Sequence, residues 1–164
     1  MTEFCEVTQA AQVSALAALA CEIWTEYYTP LLGQAQIAYM LDKFQSEAPM
    51  RRQMAQESYR YFFLKLNGAT AGYLGVQVRE GALFLSKLYV RRDFRGRGIG
   101  RDTMAFLEGW ARGAGLSRVW LTVNRGNEGS IRSYEKLGFQ NIGTQDADIG
   151  GGYVMNDYLF QKTI

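Results

Sequence analysis

The 164-residue sequence predicts a mixed α/β domain, with a mostly antiparallel central sheet flanked by helices on both faces and the order β-α-α-β-β-β-α-β-α-β-β. Three observations predict it. Segments with helical spacing alternate with short β-prone runs. Asn67-Gly68 and Glu80-Gly81 are turn signals that fold Tyr59–Leu66, Ala71–Arg79 and Leu83–Val90 into an antiparallel meander. A helical stretch beginning at Ile99 then separates that meander from Arg118–Val123, and a strand reached through a helix pairs parallel with its neighbour.

Glu3–Thr8 reads as a short first strand, and Thr8 as the cap of a helix from Gln9 to about Tyr27. Its apolar stripe is Val13, Leu16, Ala17, Ala20, Ile23, Trp24 and Tyr27, and Thr29-Pro30 ends it. A second helix from about Gly33 to Gln45 carries Ile37, Met40, Leu41 and Phe44 on one face, and Pro49 opens a further helical piece to about Glu57. In Ala71–Arg79, Leu74, Val76 and Val78 alternate with Tyr73, Gln77 and Arg79. The helix Ile99–Arg112 stops at Gly113 or Gly115, and Glu128–Leu137 stops at Gly138. Phe139–Thr144 and Tyr153–Lys162 are the last strands, joined by a loop over Asp146–Gly152.

A chain of this length is expected to form one domain with its own core. The net charge of +2 is ordinary, and the basic character is local, which argues against a general nucleic-acid binder. No apolar run approaches the roughly 18 residues that read as a membrane span. The acidic, mixed N-terminus does not read as a signal peptide. Cys5 and Cys21 form no metal or redox spacing and read as buried thiols of a cytosolic, cytoplasmic protein. There are 0 histidines, so Ser-His and Cys-His nucleophiles, a histidine base and a histidine metal ligand are all excluded. No metal is expected.

Chemistry concentrates in Leu83–Arg101. An apolar strand feeds a basic glycine loop that opens a helix, and the first N–H groups of a helix have no internal partners. The helix dipole favours negative charge there. Gly96, Gly98 and Gly100 leave the backbone open to a ligand, while Arg91, Arg92, Arg95, Arg97 and Arg101 set five cations against Asp93. Phosphate or pyrophosphate suits such a site. The loop contains no G-x-x-x-x-G-K-[ST], which argues against a P-loop NTPase. It is not G-x-G-x-x-G either, and the next strand ends in Asn124 where a dinucleotide fold would want an acid.

Arg95-Gly96-Arg97-Gly98-Ile99-Gly100 instead resembles the [QR]-x-x-G-x-[GA] loop of the GNAT superfamily of acyl-CoA-dependent N-acyltransferases. The preceding Leu88-Tyr89-Val90 is similar to that family's cofactor strand. The stretch Asn124 to Phe139 resembles its second signature, N-x-x-N-x-x-[AS]-x-x-x-Y-E-K-x-G-F. Two motifs in order are far more specific than either, and together they cover roughly residues 83–139.

The resemblance implies acetyl-CoA as cosubstrate, held by Leu88, Tyr89, Val90, Arg95, Gly96, Arg97, Gly98, Ile99, Gly100, Arg101 and Asn127. It implies an oxyanion donor at a backbone N–H near Leu88, where the fourth strand splays from the fifth. Tyr134 becomes the acid for the leaving thiolate, a role typically worth ~10²–10⁴ in rate. Spacing alone leaves Tyr134 open, because Ile131, Tyr134 and Leu137 also suit a core face. Asn127 is equally suited to cap a helix, and Lys136 to reach the cofactor's 3′-phosphate or solvent. The family often places a Glu on the fourth strand as base, but Leu83–Leu88 contains no carboxylate. Glu22, Glu26, Asp42, Asp146, Asp148 and Asp157 are candidates by position only, and a water relay is the expectation. Direct transfer in a ternary complex follows.

The family builds its acceptor end from the first two helices, their connection and the loop between the last strands. Here that implies Glu26, Tyr27 and Asp148, a cation-favouring set that leans toward a polyamine, amino acid or amino sugar. A protein N-terminus or lysine is an alternative acceptor, and an acyl-CoA-binding regulatory module without turnover is an alternative function. A homodimer is common among similar proteins.

Overall fold

The computed structural model describes residues 1–164. Its strands are β1 (Glu3–Glu6), β2 (Tyr59–Leu66), β3 (Ala69–Arg79), β4 (Ala82–Val90), β5 (Arg118–Asn124), β6 (Gln140–Gly150) and β7 (Tyr153–Thr163). The helices are α1 (Ala10–Leu32), α2 (Gln34–Phe44), α3 (Glu47–Gln56), α4 (Ile99–Gly113) and α5 (Glu128–Lys136). One seven-stranded sheet runs β1-β2-β3-β4-β5-β7-β6. Every pairing is antiparallel except β4 with β5, which are parallel, as a strand–helix–strand connection requires.

Both faces of the sheet centre are covered. Phe62, Leu64, Leu74 and Val76 pack with Ile99, Met104 and Leu107 of α4. Their strand neighbours Tyr61, Phe63 and Tyr73 pack the other way, against Val13, Leu16 and Ile23 of α1 and Met50 of α3. Successive strand residues face opposite sides, so this division is what a sheet between two helical layers demands. On β3, Tyr73 and Leu74 are both fully buried, so the predicted alternation separates two buried faces and not core from solvent. No helix is long and apolar enough to cross a membrane.

The structure corrects several sequence expectations. Helix α1 runs through Pro30 to Leu32. In the last turn a proline forfeits one backbone bond, and Gly33 N–H still donates to Thr29 O at 2.9 Å. At the other end the cap is Gln9, not Thr8. The Gln12 side chain reaches back to accept from the Thr8 and Gln9 N–H groups at 2.8 and 2.9 Å. Helix α3 begins two residues before Pro49, which its first turn tolerates because the N–H groups there have no helical partner anyway. Strand β6 runs on to Gly150, so Asp146 and Asp148 lie on an edge strand and not in a loop. Cys21 is exposed on the outer side of α1, and Cys5 is half-buried.

Candidate active site

Strands β4 and β5 pair only at Leu83–Val119 and Phe84–Trp120 and then diverge. A bulge on β4 explains the divergence. Gly75 faces Lys87 while Val76 faces Leu85, so Ser86 is the extra residue. Bulges bend and twist a strand, and this one turns the C-terminal half of β4 away from β5. The gap opens a cleft of about 690 Å³.

The edge facing that gap carries free backbone groups. Arg91 N–H donates to Ala71 O at 2.7 Å, and this bond sets the phase of the β3–β4 ladder. With Gly72 opposite Val90 and Leu74 opposite Leu88, the N–H groups of Leu88 and Val90 point away from β3, into the space β5 has left. The Val90 carbonyl does the same and accepts from Arg95 Nε at 3.0 Å.

Below this edge lies the glycine loop. After Arg95 the next backbone N–H that bonds within the protein is that of Asp102, which donates to Gly98 O. The N–H groups from Gly96 to Arg101 are therefore free, and α4 begins among them. Gly96 and Gly98 sit at φ 76° and 83°, left-handed conformations that glycine adopts without penalty. Two of the loop arginines are braced against α1: Arg91 pairs with Glu22 at 2.8 Å and Arg95 with Glu26 at 3.0 Å. Arg97 stacks on the Phe94 ring, and neither it nor Arg101 has an acidic partner. Unpaired cations beside a run of unbonded N–H groups at a helix start fit a pyrophosphate.

Helix α5 presents Tyr134 to the cleft. Its ring meets Phe139 edge-on, its hydroxyl has no partner in the protein, and burial raises its pKa, so the phenol stays protonated at neutral pH. Asn127 is both a cap and a cleft residue. Its Oδ1 accepts from Ser130 N–H at 3.3 Å and from the Tyr27 hydroxyl at 2.6 Å. Tyr27 thus ties α1 to α5.

The α1–α2 side of the cleft is walled by Trp24, Tyr28, Leu32, Met40 and Met155. Tyr28 and Tyr89 join hydroxyls at 3.1 Å, and burial raises the pKa of both. Beneath them runs a buried chain of hydrogen bonds: Trp24 Nε1 to Tyr73 (2.9 Å), Tyr73 to Gln45 Oε1 (2.7 Å), Gln45 Nε2 to Tyr61 (3.0 Å), Tyr61 to Gln53 Oε1 (2.6 Å). It fixes the tryptophan wall against the sheet.

Two charged groups also line this end. Burial pushes the Lys87 amine down to about 8, and its Nζ donates to Ser86 Oγ at 2.9 Å. Burial raises the Asp157 carboxyl, while Arg125 and Lys87 pull it back. Asp157 is 8% exposed, and its Oδ1 is buried with no hydrogen-bond partner. In the sequence Lys87 is an ordinary strand residue and Asp157 a candidate by position only. The available signals are a lysine in an apolar strand and an acid in the last strand, and only the fold shows that they converge.

Of the predicted residues, Leu88, Tyr89, Val90, Arg95, Gly96, Gly98, Ile99, Gly100, Arg101, Asn127, Tyr27 and Tyr134 line the one cleft. Arg97 lies beside it on Phe94. Glu26 is engaged by Arg95 and does not line the cleft. Asp148 is also outside it, accepting from Gly150 N–H at 2.8 Å, and Asp146 pairs with Arg125. None of the three acids nearest the predicted acceptor end is free inside it.

A family model described as the acetyltransferase (GNAT) family matches residues 17–139. An uncharacterised N-acetyltransferase of Mycobacterium bovis is 28% identical over 150 residues, covering 91% of this chain and 96% of that protein. The [ribosomal protein bS18]-alanine N-acetyltransferase of Escherichia coli is 32% identical over 83 residues, 51% of this chain and 56% of that one. Among solved structures, the PaiA N-acetyltransferase of Thermoplasma acidophilum in complex with coenzyme A superposes with a TM-score of 0.81. That likeness covers 100% of this chain and 99% of that chain, at 17% identity.

Proposed function

The chain belongs to the acetyltransferase (GNAT) family, and from that premise we propose that it moves the acetyl group of acetyl-CoA to a primary amine of a small molecule, by direct transfer in a ternary complex. The observation that carries this reading is the continuity of one cleft, from the free N–H run of the glycine loop past the unpaired edge of β4 to the Tyr134 hydroxyl.

Bound acetyl-CoA supplies a thioester whose carbonyl accepts the amine. The N–H groups from Gly96 to Arg101, with Arg97 and Arg101, hold the pyrophosphate. The free edge at Leu88 and Val90 pairs with the pantetheine arm, and the Leu88 N–H stabilises the developing oxyanion, a donor of a kind typically worth ~10²–10³ in rate. Tyr134 hydrogen-bonds to the leaving sulfur and delivers its proton. A phenol kept neutral by burial is in the correct state to do so at pH 7. No histidine is available. Asn127, held by Tyr27, fixes the start of α5 and thereby the position of Tyr134.

Release of free thiol from acetyl-CoA, with amino acids, diamines, amino sugars and short peptides as acceptors, tests the reaction. Thiol release that requires an acceptor supports transfer. Tight binding with no release from any acceptor would support instead an acyl-CoA-binding module. A second reading, acetylation of a protein N-terminus, is favoured by the likeness to the bS18-alanine enzyme. The peptides in the panel separate it from the first.

A further inference from the structure

Asp157 and Lys87 stand on β7 and β4, the neighbours of β5 on its two sides, and both line the cleft that opens where β4 and β5 part. Asp157 lies directly opposite Asn124 on β5, and residues directly opposite share a face. Leu121 and its partner Phe160 belong to the α4 core, so the three-residue offset puts Asp157 on the α1–α2 face. Lys87 is on that face too: a Cβ at its partner Gly75 would meet both Tyr61 and the Lys87 Cβ at 3.2 Å or less. The two charges are not an ion pair. Nζ donates to the hydroxyl and the carbonyl of Ser86, while Asp157 Oδ1 bonds to nothing. A buried carboxylate oxygen without a partner is costly unless a ligand completes it. An ammonium has three donors, and these contacts leave it one to offer.

Resting on the transferase reading above, we propose that the acceptor is a free α-amino acid with an apolar side chain, its amine received by the Asp157 carboxylate and its carboxylate by the Lys87 ammonium. Asp157 Oδ1 takes one proton from the ammonium, and the neutral amine so formed attacks the thioester carbonyl. As the C–S bond breaks the sulfur takes the Tyr134 proton and leaves as a thiol, and the second proton that the nitrogen sheds on becoming an amide restores the Tyr134 phenol. The opposed charges match a zwitterion and disfavour a diamine, whose second ammonium would meet Lys87 in a poorly solvated site. Trp24, Met40 and Met155 offer the side chain an apolar, adaptable wall. Glu26, Asp146 and Asp148 do not compete, because arginines or backbone already hold them.

The test is a steady-state comparison of L-leucine, L-methionine and L-phenylalanine with their amides and with 1,4-diaminobutane, on native protein, Asp157→Asn and Lys87→Met. Native protein should prefer each free acid over its amide by at least ~10-fold in kcat/KM, the discrimination typical of one charged contact. Lys87→Met should bring that ratio close to one by raising KM for the acid. Asp157→Asn should lower kcat for every amine by ~10²-fold or more, the ordinary size of base catalysis, with acetyl-CoA affinity by calorimetry unchanged. A diamine or amide used better than the free acid, or a ratio untouched by Lys87→Met, overturns the inference while leaving acetyl transfer standing. Thiol release from none of these acceptors would overturn it as well, and would return the question to whether the chain turns over at all.

Discussion

A half-buried lysine whose amine is desolvated beside a cleft destabilises the protein that carries it. The folded chain holds the Lys87 proton only up to about pH 8, against 10.5 for a free lysine side chain. Between those values the unfolded chain binds the proton and the folded one does not, so stability rises with pH there. The penalty is full below about pH 8 and fades as pH climbs toward 10.5. Lys87→Met should therefore raise unfolding free energy by about 1–3 kcal/mol at pH 7, since each tenfold loss of proton affinity corresponds to roughly 1.4 kcal/mol. Urea titrations at pH 7 and at pH 10 should show the gain shrinking at the higher pH, and an equal gain at both would remove burial as its cause. Tyr134 gives the opposite pattern. Its hydroxyl touches no protein group, so Tyr134→Phe should leave the thermal midpoint in place and lower kcat by ~10²-fold with acetyl-CoA affinity retained. Full turnover in that variant would make Tyr134 a packing residue. The place of Tyr134 beside the cleft is legible in the sequence because its motif is local. Lys87 and Asp157 are not, since each acquires meaning only from the other.

Among the elements, α5 is the one most dependent on a neighbour. It is nine residues long with no side chain fully buried, shorter than an isolated helix needs to be stable. The Tyr27 hydroxyl holds its first turn through Asn127 and Ser130. Tyr27→Phe should cost about 1 kcal/mol of stability. It should also raise the KM for acetyl-CoA several-fold, and faster amide exchange confined to α5 would locate the cause. Unaltered exchange there would mean α5 stands without the brace. The loop before α4 answers to a different constraint. Gly98 at φ 83° accepts no other residue without strain, and a Cβ there would lie 3.2 Å from the Arg101 guanidinium. Gly98→Glu should abolish acetyl-CoA binding in calorimetry while circular dichroism still reports a folded protein; native affinity would remove the pyrophosphate assignment. The existence of strands and helices is readable from periodicity and turns. The extension of α1 through Pro30 is not, because a proline in a last turn forfeits one bond and the backbone around it keeps the rest.

For the molecule as a whole, the decisive feature is where β7 goes. It inserts between β5 and β6, so the final strand of the chain, and not the one before it, lies next to β5 and one strand from the opening. The sequence reads two last strands joined by a loop and is silent on which of them meets β5, and that choice brings Asp157 to the cleft. The same topology explains why Asp148 does not reach the cleft. On β6 it lies at the far edge of the sheet, a strand beyond the cleft wall. The glycine loop needs no such knowledge, being one continuous stretch. What the whole fold adds is a second side to the cleft, with α4 and α5 on one face of the sheet and α1 and α2 on the other, meeting where β4 and β5 part.

Time-resolved thiol release by native protein and by Gly98→Glu, each mixed with acetyl-CoA with and without an amino-acid acceptor, probes that arrangement most directly. Native protein should release thiol only when the acceptor is present, with the acetyl group recovered on the acceptor nitrogen, and Gly98→Glu should release none. Release by Gly98→Glu at the native rate, or release by native protein that ignores the acceptor, would contradict a cleft in which the glycine loop holds the donor and the opposite face presents the amine.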